Sequence, residues 1–321
     1  MRMSIHLGFF SGMALAMGAA LLTACGGEGN GNDQQPASVE PVVMTTFYPT
    51  TYFAERITGG VVPVELPLPD GEDPIFWQPS PETIARYQRA AAIVINGAGF
   101  EKWVATASLP RSRVINTAAG FRDRFIEMET VTHSHGPAGE HTHTGIDGHT
   151  WVDPNNAILQ ANAIAEGLAD AFPERIEMFE ANLPQLRADL EALDRRLRDV
   201  TPKLEGVVLL ASHPAYNYLA QRYGWEIENL DLDPRAELTD VVLADIDRAI
   251  QARGYEAPVI LLWESAPLKT TTERLETDLG ITSVLFSPAE TRSDEQRDAG
   301  KDYFSIMNSN VDRLNEALSE S

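Results

Sequence analysis

The segment PERIEMFEANLPQLRADLEALDRRLRDVTPKLEGVVLLASHP, residues 173–214, decides the fold of this chain. Its first part predicts one long helix, because leucines recur at spacings of three and four and so form a single apolar stripe. The leucines of the stripe are Leu183, Leu186, Leu190, Leu193 and Leu197. After Gly206, five apolar residues in succession, 207–211, predict a buried strand. The long helix therefore leads into an α/β arrangement.

Strands alternate with helices on both sides of this long helix. Upstream, apolar runs predict strands at 42–47, 61–68, 91–96 and 113–116. Downstream, they predict strands at 207–211, 225–230, 258–263 and 282–286. Strands separated by helical stretches indicate parallel sheets. We therefore predict an α/β fold with an N-terminal lobe at 41–168, a linking helix at 169–203 and a C-terminal lobe at 204–321.

The N-terminus indicates export. Arg2 precedes the apolar run 7–22, which suits a secretory signal better than a membrane-spanning helix. The run ends Leu-Thr-Ala-Cys, which looks like a bacterial lipobox, although a plain signal peptide before an incidental cysteine is the alternative. We predict a signal peptide at 1–25 with lipidated Cys25, and a flexible tether at 26–40. Cys25 is the only cysteine, so no internal disulfide can form.

The charge balance argues against nucleic acid as a partner. Aspartate and glutamate number 47 against 25 lysines and arginines, and the formal net charge is -22. This balance argues against binding nucleic acid, because phosphates are held mainly by basic side chains. A negative field draws cations toward the protein, or serves only for solubility, and composition does not separate these two roles.

Five of the seven histidines fall in HSHGPAGEHTHTGIDGH, residues 133–149. Neutral imidazole is a good ligand for zinc and related metals. The first four, among glycine, proline, serine and threonine, predict a mobile loop that collects or hands over metal as an auxiliary site. A solvated polar loop without a function is the alternative. These four are His133, His135, His141 and His143.

Three other candidate ligands lie where ordered elements begin or end. His149 comes shortly before Asp153, which is placed to cap the helix that begins at Pro154. His213 follows the strand 207–211, and Glu264 follows the next strand but one. Ligand sites in open α/β sheets lie at the carboxyl ends of strands. We therefore predict His149, His213 and Glu264 as metal ligands, with a buried hydrogen-bonded role as the alternative for His149 and Glu264.

These segments resemble the bacterial zinc and manganese substrate-binding lipoproteins of metal ABC importers, the periplasmic metal-binding proteins of the cluster A-I type. The resemblance covers almost all of residues 41–321. It implies two α/β lobes joined by one long rigid helix, with the metal held in a cleft between the lobes. It rests on the order and spacing of FYP at 47–49, NGAGFEKWV at 96–104, the His-rich loop, HTWVDP at 149–154, SHPAY at 212–216 and WES at 263–265.

The resemblance implies four protein ligands, of which this chain matches two, His149 and His213. The place of the usual first histidine is held by Ile75, and that of the usual late aspartate by Ser287. Neither an isoleucine nor a serine is a good metal ligand. Substitutes are available in Glu72, Asp73, Glu264, His143 or, weakly, Ser287 itself.

Two alternatives to a substituted ligand set stay open. Two protein ligands with waters would hold metal weakly, which suits transfer better than capture. Otherwise the cleft has changed its ligand, with an apolar or stacking pocket in place of the metal site. The side chains expected to line the cleft are Phe47, Tyr48, Ile75, Phe76 and Trp77.

The leading functional prediction is a non-enzymatic binding protein that captures a divalent metal and delivers it to an ABC permease in the inner membrane. Imidazole-rich coordination favours zinc over manganese. We expect a periplasmic or cell-surface, lipid-anchored monomer. A binding protein for another solute or a metal chelate is the first alternative. A zinc-dependent hydrolase is a remote one, because no His-Glu-x-x-His or Gly-x-Ser-x-Gly motif occurs.

Overall fold

The computed structural model describes residues 41–134, 140–252 and 257–320. The predicted signal peptide, the tether, Cys25 and His135 lie outside these residues. Within them, no helix combines the length and the apolar character needed to cross a membrane.

The N-terminal lobe contains a four-stranded parallel sheet. Its strands are β1 (Val43–Thr45), β2 (Val64–Glu65), β3 (Ala92–Ile95) and β4 (Val114–Asn116), in the order β2-β1-β3-β4. Helices α1 (Tyr48–Thr58) and α2 (Pro81–Arg89) connect the strands. The predicted strand 61–68 is too long, because Pro63 and Pro67 have no N–H to donate to a neighbouring strand.

The predicted loop 133–143 is wrong for the residues that the structure describes there. Strands β5 (Glu127–Ser134) and β6 (Glu140–Ile146) form an antiparallel hairpin, in which His133 is paired with His141 and Val131 with His143. Threonine and valine alternate with polar residues in this segment, and such residues favour extended backbone. The histidine count drew attention away from this alternation.

The linking region consists of two helices, α3 (Pro154–Ala171) and α4 (Ile176–Val200). Asp153 caps α3 as predicted, since its side chain accepts the N–H of Asn155. Helix α4 continues through Pro184, and four leucines of its stripe are buried. Their apolar face belongs to one continuous core with residues of both lobes, so a large movement between the lobes would expose apolar surface to water.

The C-terminal lobe repeats the architecture. Its strands are β7 (Val208–Ala211), β8 (Ile227–Asn229), β9 (Val259–Trp263) and β10 (Ile281–Leu285), all parallel, in the order β10-β9-β7-β8. Its helices are α5 (Asn217–Tyr223), α6 (Asp240–Gln251), α7 (Lys269–Leu279), α8 (Asp294–Asp298) and α9 (Tyr303–Glu320).

The two sheets have the same strand order when each is numbered within its own lobe, namely 2-1-3-4. This relation is invisible in the sequence, where no repeat between the halves is apparent. In each sheet the order reverses between the first and third strands, which are β1 and β3 in one lobe and β7 and β9 in the other. Ligands of open α/β sheets bind at the carboxyl ends of strands beside such a point.

Candidate metal centre

His149 is held between α3 and the hairpin with 3% of its surface exposed. The Oδ1 atom of Asp147 lies 2.7 Å from His149 Nδ1 and also accepts the backbone N–H of His149 at 2.9 Å. Asn217 in turn donates to Asp147 Oδ2 at 3.0 Å. A carboxylate beside Nδ1 keeps a proton on that nitrogen and turns Nε2 toward any metal ligand site. The imidazole is therefore oriented before any ion arrives.

Glu290 is a candidate site residue that the sequence reasoning missed. Its Oε1 lies 2.9 Å from His149 Nε2, and 18% of its side chain is exposed. It follows β10 by five residues, and polar groups after the ends of β7 and β9 had already been considered as ligands. The same rule, applied to the end of β10, would have found it.

Ser287, at the place of the usual aspartate, takes part in the turn before Glu290. The hydroxyl of Ser287 accepts the N–H of Ala289 at 3.2 Å, and Ala289 takes a left-handed conformation with φ of 60°. Asn310 binds both the N–H and the carbonyl oxygen of Ser287, at 3.0 and 2.6 Å. Ser287 thus shapes the turn, and the carboxylate that reaches His149 comes from Glu290.

Groups of the N-terminal lobe also hold this turn. The indole N–H of Trp151 donates to the Pro288 carbonyl oxygen at 2.7 Å. The backbone N–H of Tyr48, at the start of α1, donates to the Glu290 carbonyl oxygen at 3.2 Å. Because Trp151 is two residues from His149, these bonds couple the backbone of the two candidate ligands across the lobes.

His213 and Glu264 lie at the carboxyl ends of β7 and β9, as predicted from the strand pattern. His213 is buried, and the centre of its ring is 5.7 Å from that of His149. Ser212 is placed between the two strand ends, where its Oγ lies 3.4 Å from the backbone nitrogen of Glu264. The strand order thus brings an imidazole and a carboxylate to one edge of the C-terminal sheet.

The carboxylates around this point favour a positive charge, either a second proton on His149 or an ion that displaces that proton. Burial raises the pKa of Glu264 to about 8, and the negative charge of Glu290 adds to the effect. Burial alone would lower the pKa of His149, but the carboxylates of Asp147 and Glu290 outweigh it and raise that pKa to about 10. Asp73 and Asp233 contribute further negative charge near Glu264. Carboxylates crowded away from water are stabilised by a positive ion.

The contact between His149 and Glu290 is an ion-pair contact, with 2.9 Å between Nε2 and Oε1. In a tetrahedral zinc site with bonds of about 2.0–2.2 Å, two neighbouring donor atoms stand about 3.3 Å apart, so the observed pair is closer together than two zinc ligands. Among the described residues, no group of three or more His, Cys, Asp or Glu side chains is arranged to hold a metal ion.

The segment around Ile75 does not form the predicted apolar pocket. Ile75 is buried, and its N–H donates to Asp73 Oδ1 at 2.8 Å within a turn. Trp77 packs edge-on against Trp103 in the core of the N-terminal lobe. Ile75 and His149 line a common cavity of about 20 Å³, which has room for about one water molecule.

The other predicted cleft residues differ in their positions. Phe47 is fully buried between Phe100 and Trp151, so the prediction that it lines the cleft is wrong. Phe76 is half-buried against the main core. Tyr48 is buried at the start of α1, and Arg292 lies 4.4 Å from the centre of its ring. Aromatic side chains follow the apolar core here, since burial of their large surface is favourable.

Of the remaining substitutes, Glu72 is exposed in the turn before Ile75, and Asp73 uses one oxygen to shape that turn. The backbone of His133, His141 and His143 lies in the hairpin.

Fold and site together define a two-lobed binding protein with imidazoles and carboxylates at the strand ends that face the cleft. The comparison with known families agrees: residues 43–317 match the family described as ZnuA, zinc-uptake complex component A periplasmic. Because the match spans more than half of the chain, this protein belongs to that family.

Named relatives have a similar description. The high-affinity zinc uptake system protein ZnuA of Bacillus subtilis is 28% identical over 302 residues, covering 93% of this chain and 94% of that protein. The zinc-binding lipoprotein AdcA of Streptococcus pneumoniae is 26% identical over 309 residues, covering 94% of this chain but only 59% of AdcA. The solved structure of the metal-dependent lipoprotein YcdH from Bacillus subtilis matches with a TM-score of 0.72 at 26% identity, covering 86% of this chain and 98% of that one.

Proposed function

We propose that this protein captures a divalent metal ion outside the inner membrane and delivers it to the permease of an ABC importer, with zinc as the preferred ion. Family membership and the zinc-uptake names of the relatives support this role. The observation that carries it is the buried Nε2 of His149, 2.9 Å from the Glu290 carboxylate, with Asp147 on the opposite nitrogen.

We propose His149, His213, Glu290 and Glu264 as the ligands. The two imidazoles suit zinc, and two carboxylates complete an acceptable tetrahedral set. Glu290 replaces the carboxylate expected at Ser287. Glu264 replaces the imidazole expected at Ile75, since it follows the end of β9 and the charges of Glu290 and His149 both act on its pKa. Both departures from the family pattern are thereby compensated from the C-terminal lobe.

The other candidate functions have less support. The cavity beside Ile75 and His149, at about 20 Å³, is far smaller than the few hundred Å³ that an organic chelate needs. A role in binding and transport, without catalysis, agrees with the family. Anchoring through lipidated Cys25, a periplasmic or cell-surface location and a monomeric state complete the proposal. The His-rich hairpin would be auxiliary.

The decisive experiment is a zinc titration of residues 26–321 against a competing chelator. We expect one tight site in the protein and in a variant in which His133, His135, His141 and His143 are all changed to Asn. Tight binding that disappears with these four histidines would place the metal on the segment 133–143 and refute the proposed cleft site. Manganese titrated in parallel measures the preference for zinc.

A further inference from the structure

Asn96 is a fully buried amide beside the proposed site, at the carboxyl end of β3. An asparagine side chain can donate two hydrogen bonds and accept two. All four are made here. Nδ2 donates to the carbonyl oxygens of Gly97 at 3.1 Å and Gly148 at 2.8 Å. Oδ1 accepts from Thr150 Oγ1 at 3.1 Å and from Gln160 Nε2 at 2.8 Å.

Two of these four bonds hold the residues on either side of His149. Gly148 precedes the histidine and Thr150 follows it, so one planar amide binds the chain on both sides of the candidate ligand. The nitrogen of the amide donates to the Gly148 carbonyl oxygen, and the oxygen of the amide accepts from the Thr150 hydroxyl. A shift of the His149 backbone relative to β3 therefore breaks at least one buried hydrogen bond, which costs free energy.

The backbone of Asn96 is itself held in place. Glu101, which is buried, accepts the N–H of Asn96 at 2.7 Å and that of Gly97 at 3.3 Å. Gly97 has φ of 81°, and a Cβ there would lie 2.0 Å from Asn116 Oδ1, so only glycine fits. The amide is thus attached to the sheet, and the His149 segment is attached to the amide.

We propose that Asn96 is a positioning residue for metal capture, which sets the location of His149 relative to Glu290 and His213 without touching the ion. This inference rests on the proposed function. Outer partners of metal-bound histidines typically contribute about 10- to 100-fold to metal affinity, because they fix the direction of the ligand. Asp147 fixes the rotation of the ring, whereas Asn96 fixes the backbone from which the ring extends.

The test uses two variants and one control in residues 26–321. Asn96→Asp keeps the shape but places an oxygen against the carbonyl oxygens of Gly97 and Gly148. Thr150→Val removes one bond of the clamp and keeps the side-chain shape. Thr271→Val is the control, since Thr271 is equally buried and its hydroxyl donates to the Ala236 carbonyl oxygen, and neither residue belongs to the network around Asn96.

Zinc affinity, thermal unfolding and the visible absorption of bound cobalt(II) are measured for each protein. We expect affinity to fall about 10- to 100-fold in Asn96→Asp and less in Thr150→Val. The cobalt absorption should change in both, because it reports the ligand geometry. Thr271→Val should lose some thermal stability but keep the affinity and the spectrum of the wild type.

A purely structural role for Asn96 predicts another pattern. All three variants would then unfold at lower temperature, while the folded protein kept its zinc affinity and cobalt spectrum, and this result would overturn the inference. If Asn96→Asp does not fold, Thr150→Val with wild-type affinity and spectrum overturns it as well. A wild-type protein that binds no zinc refutes the proposed function, which is a distinguishable result.

Discussion

Residues 147–153 and residues 71–77 are the two segments in which the family resemblance implies a histidine, and only the first carries one, His149. In the first segment, His149 is buried and its neighbours bind Asn96, Tyr303 and Pro288. In the second segment residues 71–73 are exposed, whereas Ile75 is buried and its carbonyl oxygen accepts the N–H of Lys102 at 3.2 Å. Exchanging a histidine in a buried network leaves polar groups unpaired, which costs free energy. The apolar side chain of Ile75 has no polar atom that needs a partner.

In the proposed ligand set, two carboxylates take the places of the ligands missing at Ile75 and Ser287. Glu264 and Glu290 reach the site from the opposite lobe, on turns that follow β9 and β10. Several strand ends meet at this edge, so donors from different strands can replace one another while the fold stays the same.

The largest expected effect is the loss of the retained ligand. His149→Ala should weaken zinc binding by more than about 100-fold, which exceeds the effect usual for an outer partner of a metal ligand. His213→Ala should have a comparable effect. Competitive zinc titration measures both, and wild-type affinity in either variant would remove that histidine from the ligand set.

The compensating carboxylates should come next. Glu290→Gln keeps the size of the side chain and removes its charge, so zinc affinity should fall on the order of 10- to 100-fold, or about 1.4–2.8 kcal/mol. Glu264→Gln should behave similarly. Glu295→Gln is the matched control, because Glu295 is exposed on α8. Equal affinities for the Glu290 and Glu295 variants would contradict the ligand assignment.

A histidine at position 75 tests the segment 71–77, because it supplies the imidazole that the family resemblance implies there. Ile75→His should raise zinc affinity by roughly tenfold, equivalent to about 1.4 kcal/mol, because a nitrogen donor is added to the site. Ile75→Leu is the control for changed packing. An unchanged affinity in Ile75→His would mean that the exposed turn no longer directs its side chain toward the cleft.

The smallest expected effect is a change in the pH dependence of stability, and it involves Asp153, the last residue of the segment 147–153. Burial raises the pKa of Asp153 to about 6, although Arg222 lies 3.1 Å away and acts in the opposite direction. The folded state therefore binds more protons than the unfolded state between about pH 4 and pH 6, and its stability falls as pH rises through that window.

An asparagine in place of Asp153 cannot titrate but would cap α3 equally well. In Asp153→Asn, the free energy of unfolding should therefore lose this part of its pH dependence, on the order of 1–2 kcal/mol. Denaturant unfolding of the metal-free protein at pH 4, 5, 6 and 7 measures the slope. Parallel curves for the variant and the wild type would contradict a raised pKa.

The strand and helix pattern was sufficient to predict the two lobes and the long helix, because apolar periodicity is a local property. It also placed His213 and Glu264 at strand ends. Strands β5 and β6 were missed because the histidines and glycines of this segment suggested a loop. Ser287 was considered because it aligned with the expected ligand, whereas Glu290 lies three residues further along an aperiodic turn.

The sequence by itself determined the α/β class, the linking helix, the export signal as a prediction, and the candidate histidines. Only the tertiary structure decided which side chains meet. The contact of His149 with Glu290 joins residues 141 positions apart, and it depends on the strand order of two sheets and on the bonds from Trp151 and Tyr48 to one turn. The periodicity of helices and strands can be read from neighbouring residues. Long-range contacts form only when the packed core brings distant segments together.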